Sequence, residues 1–303
     1  MDRFDQLFDQ LQTCCPHMEL LKQEPMARHT TFRVGGPVPL MARPTREEQA
    51  LACVRLAWEN QTSLVVLGNG SNLLVADEGV QAFVLDMTGL SRLERTGERE
   101  ITAGAGVTLA RLASFAAGEG LTGLEFAGGI PGTLGGAVMM NAGAYGGEMV
   151  QVVRRTRCLT PQGIVKEIVG EEHEFSYRRS VFSRGENVIL SSALELEPGR
   201  EEDIRARMAE LAQKRKAKQP LEYPSAGSMF KRPQGYFAAA LIEQCGLKGL
   251  TVGGAQVSEK HAGFVINRGG ATCADVLALV KEVQRRVREQ TGVELEMEVR
   301  RLG

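Results

Sequence analysis

Six cysteines are too few and too scattered to frame a chain of 303 residues. Cys14, Cys15, Cys53, Cys158, Cys245 and Cys273 form no C-x-x-C pair, and no histidine clusters beside them, which excludes any legible metal site or disulfide framework. Thiols in a reducing, cytoplasmic setting are the expectation. No apolar run approaches the ~18 residues of a membrane span. The N-terminus MDRFDQLFDQ is acidic and lacks an apolar stretch, so neither a membrane segment nor a signal peptide is expected. Excess positive charge is missing too: 36 Lys and Arg stand against 37 Asp and Glu, for a net charge of −1. That balance argues against nucleic acid as a partner. The one basic run, KRKAK at 214–218, falls at the end of an expected helix, where cations suit the dipole. No G-x-S-x-G elbow surrounds a serine, no Walker lysine follows a glycine-rich turn, and His17, His29, His173 and His261 are scattered, so no catalytic triad is legible.

Glycine, by contrast, is plentiful and bunched. Of the 35 glycines, eight fall in the 25 residues EFAGGIPGTLGGAVMMNAGAYGGEM at 125–149. Glycine loses the most backbone entropy on folding, so such a bunch is destabilising unless something requires it. Two requirements qualify: backbone angles closed to other residues, or another body lying on the main chain. A smaller bunch, GNGSN at 68–72, follows the apolar run SLVVL. Gly68 and Gly70 would let N–H groups converge on an anion, with Ser71 and Asn72 as side-chain donors. It is not the dinucleotide fingerprint, because Leu73 stands where the third glycine belongs. An Asn-Gly turn between strands explains GNGSN as well, and a tight strand–helix crossing explains AGGIPGTLGGA. Two such loops in one chain favour a bound nucleotide more than either does alone.

The periodicity describes a mixed α+β chain of about two domains. A short amphipathic helix is expected at the N-terminus. Thr45-Arg-Glu-Glu48 reads as a capping box opening a helix through Leu51, Val54 and Ala57. The stretches at 63–67 and 82–87 read as strands, and ITAGAGV followed by Thr108 as strand, cap and helix. Residues 152–197 read mostly as strands with a PQG turn, and EPGREED at 197–203 as a linker into a helix that Pro220 stops. Thr272 should cap a helix through Val276, Leu279, Val280, Val283 and Val287, closed by Gly292. VELEMEVR at 293–300 alternates apolar and charged residues like a half-buried strand. Its period places Glu294, Glu296 and Glu298 on one face and cannot tell them apart. SYRRSVF at 176–182 reads as a surface strand, and SAGSMFKRP at 225–233 as a solvated loop.

Taken together, HTTFRVGGP, LGNGSNLL, AGGIPGTLGGAVMMNAGAYGGE, FSYRRSVF, QPLEYPSAGSMFKRP, LIEQCGLKGLTVGGAQVSEKHAGFVIN and EMEVRRLG, in this order, resemble the UDP-N-acetylenolpyruvoylglucosamine reductase family from about residue 25 to the end. No insertion carrying a substrate-gripping tyrosine is present, so the chain is similar to the shorter branch of that family. The resemblance implies an N-terminal helical segment at 1–24. An FAD-binding domain of the vanillyl-alcohol oxidase type would follow at 25–198, in two parts of about 25–90 and 91–198. A C-terminal α+β substrate-binding domain would occupy 205–303. It implies that Gly68, Asn69, Gly70, Ser71, Asn72 and Leu73 bind the FAD pyrophosphate. Main chain at Gly128, Gly129, Ile130, Pro131, Gly132, Gly135 and Gly136 would lie against FAD, with Asn141 nearby.

The implied reaction is NADPH-dependent reduction of the enolpyruvyl ether of UDP-N-acetylglucosamine enolpyruvate to UDP-N-acetylmuramate, a peptidoglycan precursor. NADPH and substrate would take turns at the flavin. Arg178 and Glu298 would flank the substrate carboxylate, Glu298 as a neutral donor. Ser228 would give a proton to the carbanionic carbon, where position matters more than acidity. Lys231 and Arg232 are the candidates for the UDP diphosphate; some members of the family carry Asn where this chain has Arg232. Two further readings stay open at this stage: a different flavin oxidoreductase on the same fold, and a flavin or nucleotide-sugar binder without catalysis.

Overall fold

A computed structural model describes residues 2–303. The chain divides into two compact units. The first takes the chain up to Lys22, Pro39–Asn69 and Ala82–Gln213; the second takes Gln23–Val38, Gly70–Gln81 and Lys214–Gly303. The chain thus changes unit within the GNGSN turn and again within the helix Glu201–Lys218. EPGREED is therefore not the linker its composition suggests. Glu197–Pro198 pairs with Leu121–Thr122, and Glu201, Glu202 and Asp203 form the first turn of that helix, where acidic groups suit the dipole. The basic run occupies its last turn.

In the first unit, helix Arg3–Cys14 buries Phe4, Leu7 and Leu11 and packs on helix Glu47–Glu59. The expected capping box at Thr45 does not form. The helix opens one residue later than that box requires, and the Gln49 amide oxygen instead accepts from the Thr45 N–H at 2.8 Å and from its hydroxyl at 3.1 Å. A parallel register sets Leu40 and Leu64 on either side of Phe83. Phe83, Val84 and Leu85 are all buried, as a strand covered on both faces should be. A second, antiparallel sheet orders Val165–Val169, Val153–Leu159, Val188–Glu195, Glu100–Gly104 and Leu93–Arg95. Thr108 caps helix Leu109–Gly118 as its spacing predicts, accepting from the Arg111 N–H.

The second unit is built on the helix Cys273–Thr291. Thr272 and Asp275 form its capping box, and Gly292 closes it at φ 72°. Its predicted stripe of Val276, Leu279, Val280, Val283 and Val287 is fully buried, each side chain contributing on the order of 1.5–3 kcal/mol. An antiparallel sheet orders Ser225–Ser228, Phe264–Asn267, Ala255–Val257 and Thr251–Val252. VELEMEVR keeps its alternation without becoming a strand. Only Met297 bridges, to Phe230, and the strand proper is Arg300–Leu302, parallel to Leu73–Val75.

His173 sits fully buried in the first unit, its ring stacked on Phe175 with centroids 4.8 Å apart. Nδ1 lies 2.9 Å from the Gly170 carbonyl, which can only accept, so Nδ1 carries the proton. Nε2 then accepts from the Thr156 hydroxyl at 2.9 Å, and Thr156 from Ser192. Burial pushes the imidazole below its ordinary value, and burial pushes half-buried His261 of the second unit the same way. A depressed histidine refuses a proton that the unfolded chain accepts below pH ~6.5, so stability is intact above that value and lost on the acid side. We predict that the urea midpoint falls between about pH 7 and pH 5.5, at up to ~1.4 kcal/mol per pH unit for each such histidine. His173→Gln should flatten the slope. An unchanged slope would show that His173 titrates normally.

Candidate functional site

Gly68 and Asn69 belong to the same unit as residues 128–141, and the two glycine-rich loops meet there. The Asn69 amide donates to the Pro131 carbonyl at 3.3 Å. A Cβ on Gly68 would lie 2.3 Å from Oγ1 of Thr133, whose side chain is buried. Main-chain bonds from Leu109 to Gly132 (3.0 Å), Leu134 to Val107 (2.8 Å) and Gly135 to Ala105 (2.9 Å) stitch the longer loop to the strand–helix junction behind it. A Cβ on Gly135 would stand 3.0 Å from the Ala105 Cβ. Gly136 differs: a Cβ there would find only Thr133 Oγ1, at 3.9 Å. Gly70 needs its freedom for φ 57°, whereas none of Gly128, Gly129, Gly132, Gly135 and Gly136 lies in the left-handed region. Close packing therefore explains Gly68 and Gly135, and neither packing nor backbone angle explains Gly136. Asn69, Gly129, Pro131 and Gly136 are exposed, and Ile130 packs on the core.

Asn141 ends the helix Leu134–Met140 in the left-handed region, at φ 42°. Its side chain turns inward and is buried. The amide donates to Glu148 Oε2 at 3.0 Å and to the Ser176 carbonyl at 3.2 Å, and its oxygen accepts from the Val150 N–H at 3.0 Å. Both amide hydrogens are thus bonded within the protein. The expected surface strand at 176–182 is replaced. Ser176 and Arg179 exchange main-chain bonds of 3.0 and 3.1 Å around a tight turn, with Arg178 at φ 55°. A strand has no place for that angle. The Arg178 guanidinium lies 5.0 Å from the Tyr177 ring centroid, and Nη2 donates to the Gly143 carbonyl at 3.4 Å.

In the second unit, one extra residue between the Ser225–Ile266 and Ser228–Phe264 pairs makes a bulge, with Gly227 at φ 80°. The bulge leaves Ser228 exposed at the strand's end. The next carbonyl, of Met229, accepts from the Glu298 N–H at 2.9 Å. Asn72, read from sequence as an anion donor, here donates its amide to the Glu298 carbonyl at 3.2 Å, and its own carbonyl accepts from Arg300 at 3.0 Å. Leu73 begins the strand that pairs with Arg300. The three glutamates that sequence could not separate now differ. Exposed Glu294 pairs with Arg288 and exposed Glu296 with Lys231, whereas Glu298 is half-buried. Arg232 stacks on Phe237, 3.9 Å from the ring centroid, and Nε donates to the Tyr236 carbonyl at 3.4 Å. Thr133, Ser180 and Ser183 escaped the sequence reading, because a lone hydroxyl, buried at Thr133 and Ser180 and half-buried at Ser183, carries no motif.

Two domain families match the chain: an FAD binding domain over residues 38–168 and the UDP-N-acetylenolpyruvoylglucosamine reductase C-terminal domain over residues 219–302. The UDP-N-acetylenolpyruvoylglucosamine reductase of Agathobacter rectalis is 48% identical, covering 95% of this chain and 95% of its own. That of Geobacillus thermodenitrificans is 44% identical over 100% of this chain and 99% of its own. The chain belongs to the UDP-N-acetylenolpyruvoylglucosamine reductase family. A crystal structure of the reductase from Thermus caldophilus superposes with a TM-score of 0.80 at 37% identity, covering 95% of this chain and 99% of that one. The chain is accordingly an FAD-containing oxidoreductase that uses NADPH to reduce UDP-N-acetylenolpyruvoylglucosamine in peptidoglycan precursor synthesis. Its α+β fold combines the FAD-binding domain with the family's C-terminal domain. The first unit fits that cofactor: exposed, side-chain-free main chain at Gly129 and Gly136 is a surface on which a planar group can lie. Among the described residues, no helix is long and apolar enough to cross a membrane, and no cluster of His, Cys, Asp and Glu could hold a metal ion.

The contact between the loops can be tested without the cofactor. Gly68→Ala drives a methyl into Thr133 Oγ1 and should cost about 1–3 kcal/mol by urea unfolding, as overpacking does. Adding Thr133→Ala should recover part of that loss. Additive losses would mean that the two residues do not meet.

Proposed function

We propose that main chain at 128–136 forms the bed of the FAD, that residues 68–73 take its pyrophosphate, and that Arg178, Ser228 and Glu298 carry the reduction. Bound FAD would supply the hydride carrier between NADPH and substrate. The protein's own residues must then manage charge and a proton. Arg178 offers a planar, charged fork for the substrate carboxylate, into which negative charge spreads as the enol ether is reduced. Ser228 Oγ would give its proton to the neighbouring carbon. A hydroxyl is a weak acid, but a carbanionic partner is far more basic, so placement governs the transfer. Glu298 would help as a neutral hydrogen-bond donor.

The observation that carries this reading is the bulge at Gly227: it exposes Ser228, while Met229 beside it holds the Glu298 main chain at 2.9 Å. Lys231 and Arg232 would take the UDP diphosphate. The Lys231–Glu296 pair is exposed, so little is lost in exchanging it for a phosphate. Stacking on Phe237 holds the Arg232 plane, and its fork suits phosphate as the amide of Asn would not. These residues would receive UDP-N-acetylglucosamine enolpyruvate after NADPH has had its turn at the flavin. Six free thiols support a cytoplasmic setting.

Gly136→Ala has room within the protein, so the apo chain should unfold within about 0.5 kcal/mol of the parent. The same methyl should lower FAD retention, read from the flavin absorbance of purified protein. Retention equal to the parent's would remove Gly136 from the cofactor surface. Ser228→Ala should lower turnover on the order of 10²–10⁴-fold, as loss of a general acid does, while flavin reduction by NADPH in stopped flow stays near normal. Collapse of both half-reactions together would refute the assignment. Glu298→Gln should keep most activity; complete loss would count against a neutral donor.

A further inference from the structure

The buried amide of Asn141 touches both ends of the Arg178 residue through intermediaries. On the backbone side, Nδ2 donates to the Ser176 carbonyl at 3.2 Å, and Ser176 closes the turn that holds Arg178 at φ 55°. On the guanidinium side, Nδ2 donates to Glu148 Oε2 at 3.0 Å and Oδ1 accepts from Val150 N–H at 3.0 Å. Those bonds fix the return limb of the small hairpin in which Gly143–Ala144 pairs with Gly147–Glu148. The Gly143 carbonyl of that hairpin accepts from Arg178 Nη2 at 3.4 Å. Two further bonds brace the same junction. The hydroxyls of Ser180, which is buried, and Ser183 both donate to the Met139 carbonyl, at 2.8 and 2.9 Å. Met139 and Asn141 lie at the C-terminal end of the short helix that leaves the glycine-rich loop.

We infer that Asn141 is a positioning residue for Arg178, holding turn and hairpin in the one arrangement that presents the guanidinium to the substrate carboxylate, with Ser180 and Ser183 tying that arrangement to the glycine-loop helix. The inference rests on the proposed role of Arg178. The need for such a device follows from the backbone. A non-glycine residue in the left-handed region is held there only when its surroundings over-determine it, at a cost of order 1–3 kcal/mol each. Asn141, Tyr145, Glu174 and Arg178 all have positive φ in this stretch. Asparagine suits position 141 twice over: it tolerates the left-handed cap better than most residues, and its amide supplies two donors and an acceptor at once. Aspartate would keep the shape and turn two donors into acceptors facing a carboxylate and a carbonyl.

A double-mutant cycle decides the matter on FAD-loaded protein. Asn141→Gly keeps the backbone conformation and removes the amide. Its substrate-dependent half-reaction should slow about 10–100-fold, the scale of a misplaced catalytic group, with NADPH-driven flavin reduction near normal. Arg178→Ala should slow the same half-reaction further, and adding Asn141→Gly to it should cost nothing more, because the amide acts through the arginine. Losses that multiply, or an Asn141→Gly protein as fast as the parent while Arg178→Ala is slow, would overturn the positioning role and leave the arginine's own role standing. A fully active Arg178→Ala protein would instead overturn the role of the arginine, and the inference with it. Should Asn141→Gly fail to fold, Ser180→Ala takes its place in the cycle with the same expected pattern.

Discussion

Thr133 Oγ1 lies where a side chain on residue 68 would begin, 2.3 Å from the place of the missing Cβ. That contact lets two loops far apart in sequence touch, and the proposed cofactor face of the first unit depends on it. Once Gly68 and Thr133 meet, the Asn69 amide reaches the Pro131 carbonyl, and the longer loop is stitched from behind by Leu109, Leu134 and Gly135. Gly129 and Gly136 leave main chain exposed on its outward surface, beside the exposed Pro131. The glycine bunch therefore has several causes. Gly135 and Gly147 are forced by neighbours, Ala105 and the Phe126 ring respectively, and Gly146 by φ 88°. Gly136 meets nothing closer than Thr133 Oγ1 at 3.9 Å, and the proposed cofactor would account for its absent side chain.

Local chemistry was legible where it was self-contained. The helix from Thr272 to Gly292 has its cap, stripe and stop within its own sequence, and all three hold. Thr45 misled because a capping box is satisfied by whichever partner arrives, and Gln49 arrived instead of Glu48. EPGREED misled because the acidic residues that make a segment look like a linker are also the ones a helix N-terminus favours. SYRRSVF misled more instructively. Its residues suit a strand, but the turn at Arg178 is imposed by groups more than 30 residues earlier in the chain, at Asn141 and Met139. No local propensity encodes a hydrogen bond from that distance.

The candidate site follows the same division. The loops and Arg178 could be named as candidates because they sit in motifs. What periodicity could not do was rank Glu294, Glu296 and Glu298, which share a face and a spacing; only the family resemblance singled out Glu298. The partners that separate them are remote: Arg288 and Lys231 take the first two as exposed ion pairs, worth little in water. Glu298 is held at its main chain, between Met229 and Asn72. Asn72 illustrates the converse. Its position in a glycine turn suggests an anion donor, while one of its amide hydrogens secures the strand end that carries Glu298.

Main-chain fixation suits the chemistry the family performs. A serine hydroxyl can act as a proton donor only toward a strongly basic carbon, and only if it is held where that carbon forms. Side-chain partners would spend the hydroxyl's own hydrogen-bonding capacity on holding it. A bulge does the same work with the backbone: Gly227 at φ 80° re-aims the strand, leaving the Ser228 Oγ–H available at its exposed end. Glu298 is anchored in the same way, its N–H and carbonyl bearing main-chain bonds. Placement by main chain and reaction by side chain is a separation that residue spacing alone cannot reveal, since the atoms doing the holding are common to every residue.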